Sequence, residues 1–212
     1  MPSTPTPPRP RPAPPGATDS PAPVSTYAPT PSQTVGPFYG YALPFPRGGE
    51  VAPAGHPETI TLHGYVFDGA GQPVPDALIE TWQPAPDGSR AGVPGSLRQD
   101  PVTGRVVGRD GVGFTGFGRV PTDGDGHWAV RTLPPGGVSY ISIAVFARGL
   151  LHHLYTRAYL VDEPGDALLG SLDPERRATL LARGEASHTY RFDIRLQGAR
   201  ETVFLEFPAE PS

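Results

Sequence analysis

Cysteine is missing from this chain altogether, and methionine occurs once. A chain without cysteine has no disulfide framework and no thiolate metal site. It also lacks any apolar run approaching the roughly 20 residues of a membrane-spanning helix, so no membrane association is expected. Its 17 basic residues are scattered and its formal net charge is -4. No basic stripe marks a nucleic-acid surface, and none is expected. The stretch Met1–Pro23 carries arginines but no hydrophobic core, unlike a secretory signal, so the bacterial cytoplasm is the expected compartment.

Proline and glycine, by contrast, are abundant: 30 and 27 in 212 residues. That level fits either disorder or an all-β fold with many tight turns, and position separates the two causes. Residues 1–28 are low-complexity Pro, Ala, Ser and Thr with too little apolar surface to offset the entropy of ordering, so a disordered tail is expected there. A polyproline II docking ligand at Pro8-Arg9-Pro10-Arg11-Pro12 is the alternative. Glycines punctuate the rest at turn-like spacing. The remaining length suits one domain with a single good-sized core.

Beyond the tail the text turns to strands. Thr59 to Phe67 is rich in β-branched and aromatic residues and ends at Asp68-Gly69, a turn signal. Ala77 to Trp82 and Trp128 to Thr132 are similar runs, closed by Pro- and Gly-rich turns. Tyr140 to Ala147 is apolar enough to be covered on both faces, with His153 to Leu160 expected to pair with it across an Arg148-Gly149 turn. Tyr190 to Leu196 alternates with period two, as a half-buried strand does, and Thr202 to Phe207 is expected to close the domain. One short helix is expected, capped by Asp173, with Pro174 at its first position and Gly184 at its exit. Seven or more short strands with one helix predict an all-β, two-sheet β-sandwich.

Chemistry is sparse on this frame. Six histidines are present, and His152-His153 is the only close pair in sequence. Neighbours on an extended strand face opposite ways, which works against both gripping one ion. No Gly-x-Ser-x-Gly nucleophile motif occurs, and Gly113 to Gly118 does not lead from a strand into a helix as a nucleotide loop would. Asp123 and Asp125 read first as turn residues. The residues alone describe a sandwich with no self-contained catalytic centre.

Four segments together resemble the intradiol ring-cleavage dioxygenases, and among them the iron-free, alpha-type subunit of the two-subunit members. They are Thr30 to Phe38; Gly64-x-Val66-x-Asp68 with Gly71-x-Pro73-Val74-Pro75-Asp76-Ala77 and Glu80-x-Trp82-Gln83; Phe146 to Leu151 leading into His153 to Arg157; and Arg191 to Gly198 followed by Glu201 to Phe204. The resemblance implies a sandwich of the intradiol type over 59–212, a 29–58 arm reaching a partner subunit, and a disordered tail over 1–28. It implies Fe(III) held by the beta-type partner through two tyrosines and two histidines, with protocatechuate and O2 as substrates. The matching ligand positions here are empty: they fall near Arg90, in a loop before Tyr140, and at Tyr140-Ile141-Ser142. No catalytic residue and no metal ligand is therefore expected in this chain. Thr34, Gly36, Pro37 and Arg148 are the residues the resemblance places beside substrate: Thr34 as a hydrogen-bond donor, Pro37 as a rigid apolar face, and Arg148 as a cation for the substrate's carboxylate. The stretch Gly137 to Tyr140 is shorter than the resemblance leads one to expect, and no site residue is assigned there.

Each of these residues also has a plain structural reading: Pro37 and Thr34 in a turn, Arg148 as a solvated loop arginine. The rival functions are a non-enzymatic, transthyretin-like β-sandwich binding module, and a self-sufficient oxygenase using Tyr140 and His152.

Overall fold

In the computed structural model the chain is described at Gly36, at residues 39–93 and at 96–207, the Tyr41 side chain excepted. The Pro-rich tail, Thr34 and Pro37 lie outside the described residues. Eleven strands are described: β1 Ile60–Phe67, β2 Leu78–Trp82, β3 Leu97–Gln99, β4 Val106–Arg109, β5 Phe117–Pro121, β6 His127–Thr132, β7 Tyr140–Phe146, β8 Leu154–Tyr159, β9 Arg183–Ala186, β10 Thr189–Arg191 and β11 Ile194–Arg195. Three short helices accompany them: α1 Tyr39–Ala42, α2 Ala167–Ser171 and α3 Pro174–Ala178.

Two sheets form the sandwich. In one, β1 is flanked by antiparallel β6 on one side and by parallel β10 and β11 on the other, with β9 outside β10. The other runs β5-β2-β7-β8, all antiparallel, and a separate hairpin joins β3 to β4. The alternation that predicts β1 holds residue by residue: Ile60, Leu62, Gly64 and Val66 are buried and their neighbours are not. Leu62, Val66, Trp128, Val130, Phe192 and Ile194 of the first sheet meet Ala77, Ile79, Ile141, Ile143, Val145 and Ala158 of the second in one continuous core. Apolar burial at about 25 cal/mol per Å² is what holds the two sheets together. A smaller cluster of Tyr159, Leu169, Leu180 and Val203 sits where α2 and α3 cover the β8 end.

Three expectations need correction. The Tyr190 to Leu196 run is not one strand. It breaks at Phe192-Asp193 because the Asp193 carboxylate accepts the Tyr65 N–H at 3.2 Å, replacing a ladder bond. Next to the break Phe192 O presses on Gly64, where a Cβ would lie 1.8 Å away, so only glycine fits. The helix capped by Asp173 ends at Thr179, whose hydroxyl donates to Arg176 O at 2.8 Å; Gly184 lies in strand β9 instead of at a helix exit. Thr202 to Phe207 contributes a single bridge, Leu205 to Tyr155, and no strand. A further helix, α2, is capped by Asp166, which accepts from Leu168 N and Leu169 N.

The described part of the arm lies on its own sandwich. Arg119 N donates to Gly48 O at 3.0 Å, Arg131 N to Gly49 O at 2.7 Å, and Val51 N to Arg131 O at 2.8 Å. Buried Arg109 ties this segment inward, bonding Gly48 O at 3.4 Å and Phe117 O at 2.6 Å, with Thr115 Oγ1 as a third partner.

Candidate functional site

Two places collect the residues singled out by sequence. The first is the corner where the β7–β8 turn meets the start of the described arm. Arg148 sits in that turn and extends its Nε to Asp76 Oδ2 at 2.7 Å, with Nη2 on the same oxygen. Asp76 precedes β2, and its carbonyl accepts the Tyr39 hydroxyl at 2.6 Å. The Arg148 backbone hydrogen-bonds the same phenol. Burial, and then the Asp76 charge, push Tyr39 up to about 12, partly offset by the Arg148 guanidinium. The phenol is thus a neutral donor throughout ordinary pH, and it pins α1 against the turn. Gly36, at φ 76, stands three residues before Tyr39, so at most about 11 Å of chain separates the two. Arg148 is thus joined to Asp76 and Tyr39 at this corner, Gly36 lies three residues along the chain from Tyr39, and Thr34 and Pro37 lie outside the described residues. The Arg148 side chain is 68% exposed and that of Asp76 29%, so the cation faces outward from a fixed base.

The second place is a pocket of about 470 Å³ at the mouth of the β2–β7 ladder. Strand β2 ends in it with Trp82, and Gln83 follows. The loop after β2 supplies Arg90, the loop before β5 supplies Phe114 to Gly116, and β7 begins in it with Tyr140 and Ser142. Period-two geometry sends Tyr140 and Ser142 to the pocket while Ile141 enters the core. Gln83 is buried, its Nε2 donating to Leu133 O at 2.6 Å and its Oε1 accepting from Thr132 Oγ1 at 2.8 Å. Trp82 is 55% exposed and tilts against Phe117, with ring centroids 5.2 Å apart. The Arg157 guanidinium lies 4.1 Å from the Tyr140 ring centroid.

This pocket unites the positions at which iron ligands are expected by resemblance, Arg90, Tyr140 and Ser142. Its lining offers one phenol, the single carboxylate of Asp87 and several hydroxyls, but no histidine. That donor set does not fit a ferric ion held by two tyrosines and two histidines, and no step through iron is derived from it. The turn before Tyr140 approaches the 85–88 turn closely: Gly136 N donates to Ala85 O at 3.1 Å, and a Cβ on Gly136 would stand 2.1 Å from Pro86 O, so glycine is required there.

His152 and His153 precede β8 and do not line the pocket. His153 instead packs between Phe146 and Tyr155, centroids 5.2 and 4.5 Å away. Sequence reading missed a closer histidine pair: His63 Nδ1 meets His127 Nε2 at 3.1 Å, and His63 Nε2 meets Glu185 at 2.9 Å. Only the β1–β6 register brings these two together, so no local signal announces them. Among the described residues no group of three or more His, Cys, Asp or Glu is placed to hold a metal, and no helix is long and apolar enough to cross a membrane.

No family model matches the chain. Comparison with curated proteins is decisive. The protocatechuate 3,4-dioxygenase alpha chain of Burkholderia cepacia is 38% identical over 208 residues, covering 86% of this chain and 100% of the relative. This chain belongs to the protocatechuate 3,4-dioxygenase alpha-chain family. The alpha chain of Pseudomonas putida is 34% identical over 214 residues, covering 87% of this chain and all of its own length. Among solved structures, the dioxygenase domain of a carbohydrate-binding fusion protein from Streptomyces sp. SirexAA-E is 26% identical. That match covers 81% of this chain and 100% of the other, at a TM-score of 0.48.

An alpha chain is by name one part of a multi-chain dioxygenase, an oxidoreductase of the intradiol class. The Arg148 corner lies outside that pocket, since neither Arg148 nor Tyr39 lines it.

Proposed function

We propose that this chain is the iron-free alpha subunit of a protocatechuate 3,4-dioxygenase, supplying part of the substrate pocket to a ferric site on a beta subunit. The assembled enzyme opens protocatechuate between its two hydroxylated carbons, with both atoms of O2 entering 3-carboxy-cis,cis-muconate. Iron on the partner supplies the Lewis acid; this chain supplies walls and charge. Arg148 attracts and orients the ring carboxylate, Thr34 donates a hydrogen bond, and Gly36 and Pro37 shape the face against which the ring lies. The observation that carries this reading is the corner itself. Asp76 and Tyr39 fix a largely exposed arginine beside the first described residues of the arm's helix.

Residues from Gly48 onward are bonded to their own sandwich, so the reach toward the partner belongs to the part of the 29–58 arm before them. An aromatic ladder faces outward on the β8 side, with Tyr155 41% and Phe207 67% exposed and their rings in edge contact at 5.3 Å. A partner chain covering it would bury surface that a lone domain leaves in water. The enzyme works in the bacterial cytoplasm.

The test is iron content and protocatechuate-dependent O2 uptake, measured on this chain alone and after co-expression with the beta chain. An iron-free, inactive chain that yields a coloured, active complex is the expected result. Iron and activity in the chain alone would overturn the division of labour.

A further inference from the structure

A second concavity, of about 730 Å³, opens on the far side of the β1 sheet between α3, β9–β11 and the 199–202 segment. Five arginines line it, Arg176, Arg183, Arg191, Arg195 and Arg200, against two carboxylates, Glu175 and Asp193. The lining residues alone leave three positive charges in excess, and Glu185 beside Arg191 reduces this to two, in a chain whose formal net charge is -4. Every basic residue of the chain is an arginine, the side chain whose planar fork matches an oxyanion with two parallel hydrogen bonds.

The arginines divide into a rigid floor and two outer arms. Arg176 Nη1 donates to Glu201 O at 2.6 Å. Arg191 holds Asp193 through Nε and Nη2, both at 3.0 Å, and lies 5.0 Å from the Tyr65 ring centroid; its Nη1 stands 3.7 Å from Glu185. Arg195 stacks 4.7 Å from the Phe67 centroid. These three are held before any ligand arrives, which lowers the entropy lost on binding. Arg183 and Arg200 are exposed, and among the described residues their side chains have no hydrogen bond or ion pair.

The register adds a second, independent observation. Arg183 on β9 stands directly opposite Arg191 on β10. Like charges at directly opposed strand positions repel and destabilise the pair, and an anion between or above them reverses the sign. Asp193 is already engaged by Arg191, and Glu175 lies in the first turn of α3, so neither carboxylate is paired with Arg183. The groove's volume of about 730 Å³ falls within the range of small-molecule sites.

We infer that this groove binds a small oxyanion bearing at least two anionic groups, carboxylate or phosphate, gripped by Arg183 and Arg200 above the fixed Arg176–Arg191–Arg195 floor. The site shares no lining residue with the 470 Å³ pocket and does not depend on ring-cleaving activity.

Calorimetric titration of the full chain, in the complex it forms with its partner, tests this at constant ionic strength. Citrate and pyrophosphate are the probes and acetate the single-charge control. Saturable binding of one citrate or pyrophosphate per chain is expected, with acetate much weaker. Tighter citrate assigns the site to carboxylates; tighter pyrophosphate assigns it to phosphates. Arg183→Gln and Arg200→Gln each weaken binding by roughly fivefold, and together by roughly twentyfold. Arg98→Gln, an exposed arginine on β3, leaves it unchanged. Both groove variants replace exposed side chains, and an unchanged ligand-free melting temperature shows that they fold. No saturable heat with either probe overturns the inference, as does equal affinity for acetate, or binding that the double variant retains in full.

Discussion

Replacing Arg148 by alanine separates a structural arginine from a functional one. The stake in the Asp76 pair is small. Its ion pair with Asp76 is carried by a side chain 68% exposed, and pairs in that setting contribute at most about 1 kcal/mol. Asp76 is itself partly in water, and Tyr39 holds its carbonyl, not its carboxylate, so the phenol bond survives the change. With a urea slope of about 2 kcal/mol/M, the unfolding midpoint should fall by no more than about 0.5 M. The functional stake is larger, because a hydrogen-bonded charge on the substrate carboxylate is worth about 1.5–3 kcal/mol. In the assembled enzyme kcat/KM for protocatechuate should therefore drop about ten- to a hundredfold. O2 uptake with catechol, which has no carboxylate, supplies the internal control and should lose little. The visible colour of the partner's ferric centre should be unaffected. Equal losses on both substrates, or bleaching of that colour, would refute the assignment of Arg148 to the carboxylate.

Tyr39→Phe removes the bond to Asp76 O and should cost about 1 kcal/mol near neutral pH. Because the folded phenol titrates above its ordinary value, its contribution is whole below pH 10 and is lost as pH rises through about 12. Urea midpoints of the two proteins should accordingly converge over that interval, and a gap that widened there would contradict the assignment. Gln83→Met leaves Leu133 O and the Thr132 hydroxyl buried without their partner, a loss of about 2–4 kcal/mol. Adding Thr132→Val should recover part of it, which a double-mutant cycle reads directly. Gly64→Ala drives a Cβ to within 1.8 Å of Phe192 O and should destabilise by at least about 3 kcal/mol, measured by denaturant unfolding.

Strands with an apolar signature were legible from the text, because burial and alternation are written in the same residues. β1, β2, β6, β7 and β8 fall within a residue or two of the runs that predict them. Strand β9 is polar and exposed at all four positions, so Arg183-Gly184-Glu185-Ala186 carries no periodic signal, and Gly184 reads more naturally as a helix exit. The break between β10 and β11 is equally silent, since it depends on Asp193 reaching Tyr65 N across 128 residues. The same limit governs the site. Resemblance singled out Arg148, but its anchor Asp76 lies 72 residues away, and Tyr39 follows the arm motif without any sign of which carbonyl it bonds. The His63–His127 contact spans 64 residues and exists only through the β1–β6 register.

The pocket at the β2–β7 mouth shows how one strand can hold the frame while its cavity-facing side chains differ in chemistry. On β7 the inward positions Ile141, Ile143 and Val145 are core and cannot change cheaply, whereas Ser142 faces the cavity and Tyr140 lines it while also packing on Tyr159, ring centroids 5.1 Å apart. A cavity-facing position such as Ser142 can therefore vary in chemistry while the ladder beneath it stays intact. The walls have their own structural reasons to persist: Gln83 joins β2 to the 132–133 segment, and Gly136 holds two turns together. Fold and chemistry are thus carried by alternate residues of the same strand, and the loss of one set does not endanger the other. A subunit built this way can vary its cavity-facing side chains and still present its surface and its arginine corner to a partner. That is the economy the proposed division between an iron-free and an iron-bearing chain requires.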